Sequence, residues 1–306
     1  MTQVNTNDLR GSLQNNYLLV DLNIRSWSGK RTDKDASNEL LDAKHSTRDG
    51  GAFVKNLLAS ARTELDAVHK EAAALRHFVY QRTLPWTSSA DGAKRGERLI
   101  ASAVTMEFLS DLKARKATHI EAVRALRAVW PARVAQAIAN LGDLGNPDDY
   151  PSEDELPSLF SIHVGMRPIP MLADFERLNI PVQLAQGLGQ LHEQAARQCV
   201  QTAMDDMKDR LLSELERINL QMTKVATGEK TRLYDSLIGN MKGLVQMARN
   251  MNLTGNQKLF ELADRIEMKL LQHPVEVYKN DTSKAAVLAA DAKAIALDAT
   301  LEEFWT

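Results

Sequence analysis

Residues 181–226 read PVQLAQGLGQ LHEQAARQCV QTAMDDMKDR LLSELERINL QMTKVA, and this stretch decides the fold class. After Pro181 it holds no proline and only two glycines, Gly187 and Gly189. Leu184, Leu188, Leu191, Ala195, Cys199, Ala203, Met207, Leu211, Leu215, Ile218, Met222 and Val225 recur at three- and four-residue steps, the period of one helix face. A single helix of this length reaches roughly 70 Å at ~1.5 Å per residue. The stripe's mean step is nearer 3.7 than 3.5, so the helix should supercoil little or slightly right-handed.

Working outward towards the C-terminus, Thr227-Gly228 marks a turn, and three further helices are expected at about residues 230–251, 257–272 and 282–304. Gly228-Glu229-Lys230-Thr231 ends like a phosphate-binding loop but lacks the earlier glycine and the preceding strand, so it reads as a helix connector.

Towards the N-terminus, Val54, Leu58, Ala61, Leu65, Val68, Ala72, Leu75 and Val79 form a heptad stripe, predicting a helix that packs in coiled-coil fashion and stops before Pro85. Residues 88–92 read as a loop. Helical patterning resumes over 94–130, and Pro131 reads as the start of a separate helix. Residues 143–156 are acidic and turn-rich. Two segments alternate instead of following a helical period: Leu18, Val20, Leu22 and Ile24, and Phe160, Ile162, Val164 and Met166. Each predicts a half-buried strand, and the two should pair across about 140 residues of chain. Ser28-Gly29-Lys30-Arg31 reads as a basic turn after the first strand.

The fold expected is therefore mainly α, an elongated antiparallel helical bundle or coiled coil with a small two-stranded β-ribbon. It is read as one helical unit over 1–306, with 1–170 (N-terminal helices plus ribbon) and 171–306 (long-helix bundle) as the subdivision. Composition agrees: of 306 residues, 44% are hydrophobic and 25% charged, enough apolar material for a core. The net charge of −2 supplies no global attraction to nucleic acid or anionic membrane. Residues 1–14 lack the basic start and apolar block of a secretory leader, and no apolar run reaches the length of a membrane span. A cytoplasmic protein is expected, in the host cytoplasm if phage-encoded.

The sole cysteine, Cys199, lies on the apolar stripe and reads as a small core residue. His192 and Cys199 stand seven residues apart, too far for a helical ligand pair, and neither HExxH nor CxxC occurs, so no metal is expected. No Ser or Cys sits in a diagnostic nucleophile frame; no catalytic residue and no cofactor are assigned, and the reading leans away from an enzyme. Two surfaces carry functional expectations. Trp27 with Lys30, Arg31 and Lys34 could stack on bases and neutralise phosphates. Met207, Leu211 and Leu215 would form an apolar interface if the shorter helices leave them uncovered.

Trp27-Ser28-Gly29-Lys30-Arg31, Thr83-Leu84-Pro85-Trp86, Asp149-Tyr150-Pro151 and Pro170 followed by Asp174-Phe175 resemble a family of mostly helical proteins encoded by tailed phages and bacterial genomes, over most of the chain. That family carries no activity to transfer. The resemblance implies a genomic neighbourhood with MoxR-like AAA+ ATPases and von Willebrand A-domain proteins. The function expected is a non-enzymatic phage or prophage interaction or assembly protein that self-associates, with a protein partner in an AAA+ system. The alternative is a nucleic-acid-binding protein of phage DNA metabolism or counter-defence; a helical enzyme whose site is assembled in space comes third.

Overall fold

The computed structural model describes residues 13, 15–47, 50–59, 62–87, 96–170, 181–301 and 304–305. The loop expected over 88–92, Ala61 of the heptad stripe and the Asp174-Phe175 pair lie outside them. Among the described residues the elements run β1 (Tyr17–Ile24), β2 (Lys30–Asp33), α1 (Lys34–Ala43), β3 (Phe53–Asn56), α2 (Arg62–Arg82), β4 (Leu84–Pro85), β5 (Arg98–Ala101), α3 (Thr105–Leu141), α4 (Leu156–Leu159), β6 (Ile162–Pro168), α5 (Val182–Ala226), α6 (Ser236–Asn250), α7 (Gln257–Leu270), α8 (Val275–Asn280) and α9 (Thr282–Asp298). The chain is mainly helical, with small antiparallel sheets.

Residues condense around two cores, in two compact units. One unit takes Met1–Asp21, Tyr80–Phe108 and Gly165–Thr306; the other takes Leu22–Val79 and Leu109–Val164. Both are discontinuous, because the long elements α2 and α3 and the strands β1 and β6 each contribute to both.

The first unit is organised by α5, a 45-residue helix as its stripe demands. It ends in a Schellman motif: Gly228 adopts φ +75°, its N–H bonds the Val225 carbonyl at 3.0 Å, and the Glu229 N–H bonds the Lys224 carbonyl at 2.9 Å. That geometry is the physical reason for Gly228, and it leaves the Gly228–Thr231 segment a connector. Helix α9 packs along α5 and presents Ala285, Ala289 and Ala292, small enough for close approach. The Asn219 side-chain amide crosses between them to the Ala289 carbonyl at 2.8 Å. Helices α6 and α7 pack on each other and close the same core, which also takes Tyr17, Leu19, Leu84, Leu99 and Ile169.

The second unit packs Leu58, Leu65, Val68, Val123, Leu126, Trp130, Leu156 and Phe160. The heptad stripe does face a core on α2, at Leu65, Val68, Ala72, Leu75 and Val79, but the helix begins at Arg62. Val54 lies instead on strand β3, half exposed, because β3 pairs with β2 in register Thr32↔Val54. Helical patterning from residue 94 also misled: Arg98–Ala101 is a fully buried strand, and α3 continues through Pro131. Pro131 has no N–H, so the Arg127 carbonyl forgoes its helical bond. The surrounding turn is tied down by Trp130, which is buried and donates its indole N–H to the Pro151 carbonyl at 3.0 Å.

The two segments of alternating residues are neighbours, but in a four-stranded sheet of order β4-β5-β1-β6. The Arg25 N–H donates to the Ser161 carbonyl at 2.9 Å, and Asp21 lies opposite Gly165. Strand β1 also pairs antiparallel with β5, Leu19 opposite Leu99. Strand β1 is buried on both faces over Leu19 and Val20 and alternates only from Asp21 onward. The ribbon β2–β3 is a separate two-stranded sheet.

Candidate functional site

In the unit of Leu22–Val79 and Leu109–Val164, two of the quoted motifs meet. Residues 28–31 do not end in a loop: Gly29 makes the turn at φ +67°, and Lys30 and Arg31 open strand β2. A side chain at Gly29 would approach Leu65 to 3.1 Å while sitting in the left-handed region. Arg31 then reaches the acidic segment, pairing with Asp149 at 3.2 Å and donating to the Asp148 carbonyl at 2.9 Å. Its neighbour on β3, Lys55, is the centre of the cluster: the buried ammonium contacts Asp149 at 2.5 Å, Asp33 at 2.8 Å and the Leu144 carbonyl at 3.1 Å. The Asp149 and Asp33 carboxylates raise the Lys55 pKa, and the Lys55 ammonium lowers that of Asp33, helped by the Ala36 N–H. Asp33 is at the same time the N-cap of α1. Tyr150 donates its hydroxyl to the Leu57 carbonyl at 2.9 Å, so the whole 143–151 segment is latched onto the β2–β3 ribbon.

The expected nucleic-acid surface is thus divided by the fold. Arg31 is engaged in the latch. Trp27 is half-buried, its ring edge-on to Trp130 at 5.6 Å, with its carbonyl held by a His69 ring nitrogen at 2.9 Å. Lys30 and Lys34 are exposed. Met207, Leu211 and Leu215, expected to be uncovered, are 0%, 1% and 0% exposed within the first unit's own core. They present no surface to a second copy, because α6 and α9 cover the stripe over that stretch.

In the first unit, the Thr83-Leu84-Pro85-Trp86 motif holds a charged network that sequence reading missed. Arg98 is buried on β5; it donates to the Thr83 hydroxyl at 2.6 Å and the Thr83 carbonyl at 2.9 Å, and lies 4.2 Å from the Tyr80 ring centre. Arg210 of α5 reaches the Tyr80 carbonyl at 2.6 Å and pairs with Asp206 at 2.6 Å. Burial, with the like charge of Arg210, pushes the Arg98 guanidinium down to about 10, leaving it cationic at neutral pH. Burial raises the Asp206 carboxyl in spite of both arginines. An Arg in an otherwise apolar strand, followed by no polar pattern, was the available signal.

Cys199 is buried and its thiol is pushed up to about 11 by desolvation, so it packs as a small apolar group. Among the described residues no three His, Cys, Asp or Glu side chains gather as metal ligands, and no helix is long and apolar enough to cross a membrane. Comparison with protein-family models, curated proteins and solved structures returns no match.

Proposed function

We propose that the chain is a non-enzymatic interaction or assembly protein that pairs with a second copy of itself through the N-terminal end of α5. One observation carries this reading. The apolar stripe is buried from Cys199 to Met222, but Leu184 is 50% exposed and Leu191 64%, with Val182 exposed beside them and Leu188 half-buried. Leu184, Leu188, Leu191 and Ala195 keep the four-three-four spacing that interdigitates with a second helix, and symmetric pairing is the commonest arrangement of soluble oligomers, so the occupant proposed is a copy of this chain. Light scattering tests it. Wild type should have at least twice the mass of one chain at micromolar concentration, and Leu184→Glu with Leu191→Glu should return it to one chain with its helical signal intact. Wild type at the mass of one chain throughout that range overturns the reading. The resemblance to phage- and bacteria-encoded proteins supports a phage or prophage setting and makes a MoxR-like AAA+ ATPase the first partner class to assay by pulldown.

A further inference from the structure

The first unit carries an open cleft of about 450 Å³ between the end of α2, the start of α3 and one face of α6, a volume within the usual range of small-molecule sites. Its floor is apolar: Met247 and Met251 are buried beneath it and Val104 closes one side. Two cations reach it, Arg82 and Lys242, against one carboxylate, Glu107, which pairs with Arg82 at 3.2 Å where both side chains are well exposed. Three carboxamides, Gln81, Gln246 and Asn250, complete the polar lining.

The α6 wall of the cleft has a feature that folding does not explain. Gly239 and Gly243 stand one turn apart inside α6, with ordinary helical backbone, and a Cβ at either would meet no atom within 4 Å. Neither backbone strain nor packing calls for glycine there. Together the two weaken the helix relative to alanine. What they do is leave a flat strip of bare backbone in the cleft wall.

We propose that this cleft binds a mononucleotide. A flat ring can lie on the exposed glycine strip, over the floor that the buried Met247 and Met251 support. Carboxamides pair donor and acceptor together with a base edge, as Asn and Gln do with adenine. The phosphate falls to Arg82 and Lys242, displacing the exposed Glu107 carboxylate from Arg82. This inference is independent of self-association through α5.

Calorimetric titration of the full chain with the four ribonucleoside 5′-monophosphates at about millimolar concentration tests it, with orthophosphate and adenosine as separate arms. At least one mononucleotide should bind saturably, one per chain, and more tightly than either orthophosphate or adenosine. Arg82→Gln with Lys242→Gln should weaken that binding at least tenfold. Gly239→Ala with Gly243→Ala should raise the melting temperature while weakening binding, opposite signs that a merely structural role cannot give. No binding by any of the four, orthophosphate binding as tightly as the best of them, or binding unchanged in both double variants overturns the proposal.

Discussion

Lys55 Nζ lies 2.5 Å from Asp149 Oδ2, and each of the two side chains is only 5% exposed. Their pairing joins strand β3 to a segment more than ninety residues away, and little solvent is present to replace a lost partner. Lys55→Met should therefore destabilise the chain by about 2 kcal/mol, the cost of leaving a charged acceptor short of its donor. Lys55→Met combined with Asp149→Leu should lie closer to wild type than the single variant, because the most buried carboxylate no longer lacks its ammonium, while Asp33 keeps the Ala36 N–H and the half-exposed Arg31 returns to solvent. Urea denaturation of the four proteins of this cycle measures the coupling; strictly additive losses would mean the two residues do not depend on each other.

The same cluster sets a pH window. Asp33 is lowered in the folded state by the Lys55 ammonium, so its contribution is present above the unfolded carboxyl value of about 4 and is lost as pH falls through the folded value. Lys55 is raised by Asp149 and then Asp33, so its contribution is present below the unfolded amine value of about 10 and lost as pH rises through the folded value. Wild type minus Lys55→Met stability should be flat from about pH 5 to pH 9 and shrink beyond both ends.

His119 should put a slope near neutrality, where the Lys55 cluster gives none. It is buried on α3, its Nε2 has no hydrogen-bond partner among the described residues, and desolvation lowers its pKa against the weaker pull of Glu71. An imidazole that resists protonation in the folded state is fully accommodated above its unfolded value of about 6.5, and costs stability as pH falls below that. Thermal melts from pH 7.5 to pH 5 should show wild type losing stability that His119→Leu retains. Parallel curves would show that the imidazole is protonated without penalty.

Leu211 separates core from interface. Leu211→Ala should cost about 2–5 kcal/mol, as for other fully buried leucines. Leu211→Glu or Leu215→Glu should abolish helical signal and solubility rather than shift the oligomer. A folded, soluble Leu211→Glu protein of lower mass would place this side chain at a surface after all.

The basic strand divides in a similar way. Arg31→Glu faces Asp149 and should lower stability by about 1 kcal/mol. Lys30→Glu should change it by less than about 0.5 kcal/mol. Lys34→Glu, at the first position of α1, should be neutral or slightly stabilising, since a carboxylate suits a helix N-terminus. Differential scanning calorimetry of the three variants orders them. A salt-dependent gel shift weakened by Lys30→Glu with Lys34→Glu would instead speak for the nucleic-acid alternative.

Local pattern by itself determined the long helices. The stripe over 181–226 specified α5 to within one residue at its start, because a helical period repeats often enough in 45 residues to outweigh any single exception. Of the four helices after Gly228 among the described residues, three were expected; the first starts at Ser236 rather than near 230, the last ends at Asp298, and the six-residue α8 is too short to show a period. Alternation likewise marked β1 and β6 and brought them together in expectation. What only tertiary structure decided is what those elements face. Short strands such as Arg98–Ala101 and Phe53–Asn56 hold too few residues to show a period, and they are strands because a partner supplies their hydrogen bonds. Burial of Met207, Leu211 and Leu215 with exposure of Leu184 and Leu191 on the same stripe depends on where α6 and α9 lie. The ion pairs of Lys55 and the cleft beside Gly239 and Gly243 are assembled from residues far apart in the chain, so their chemistry exists only once the chain has folded.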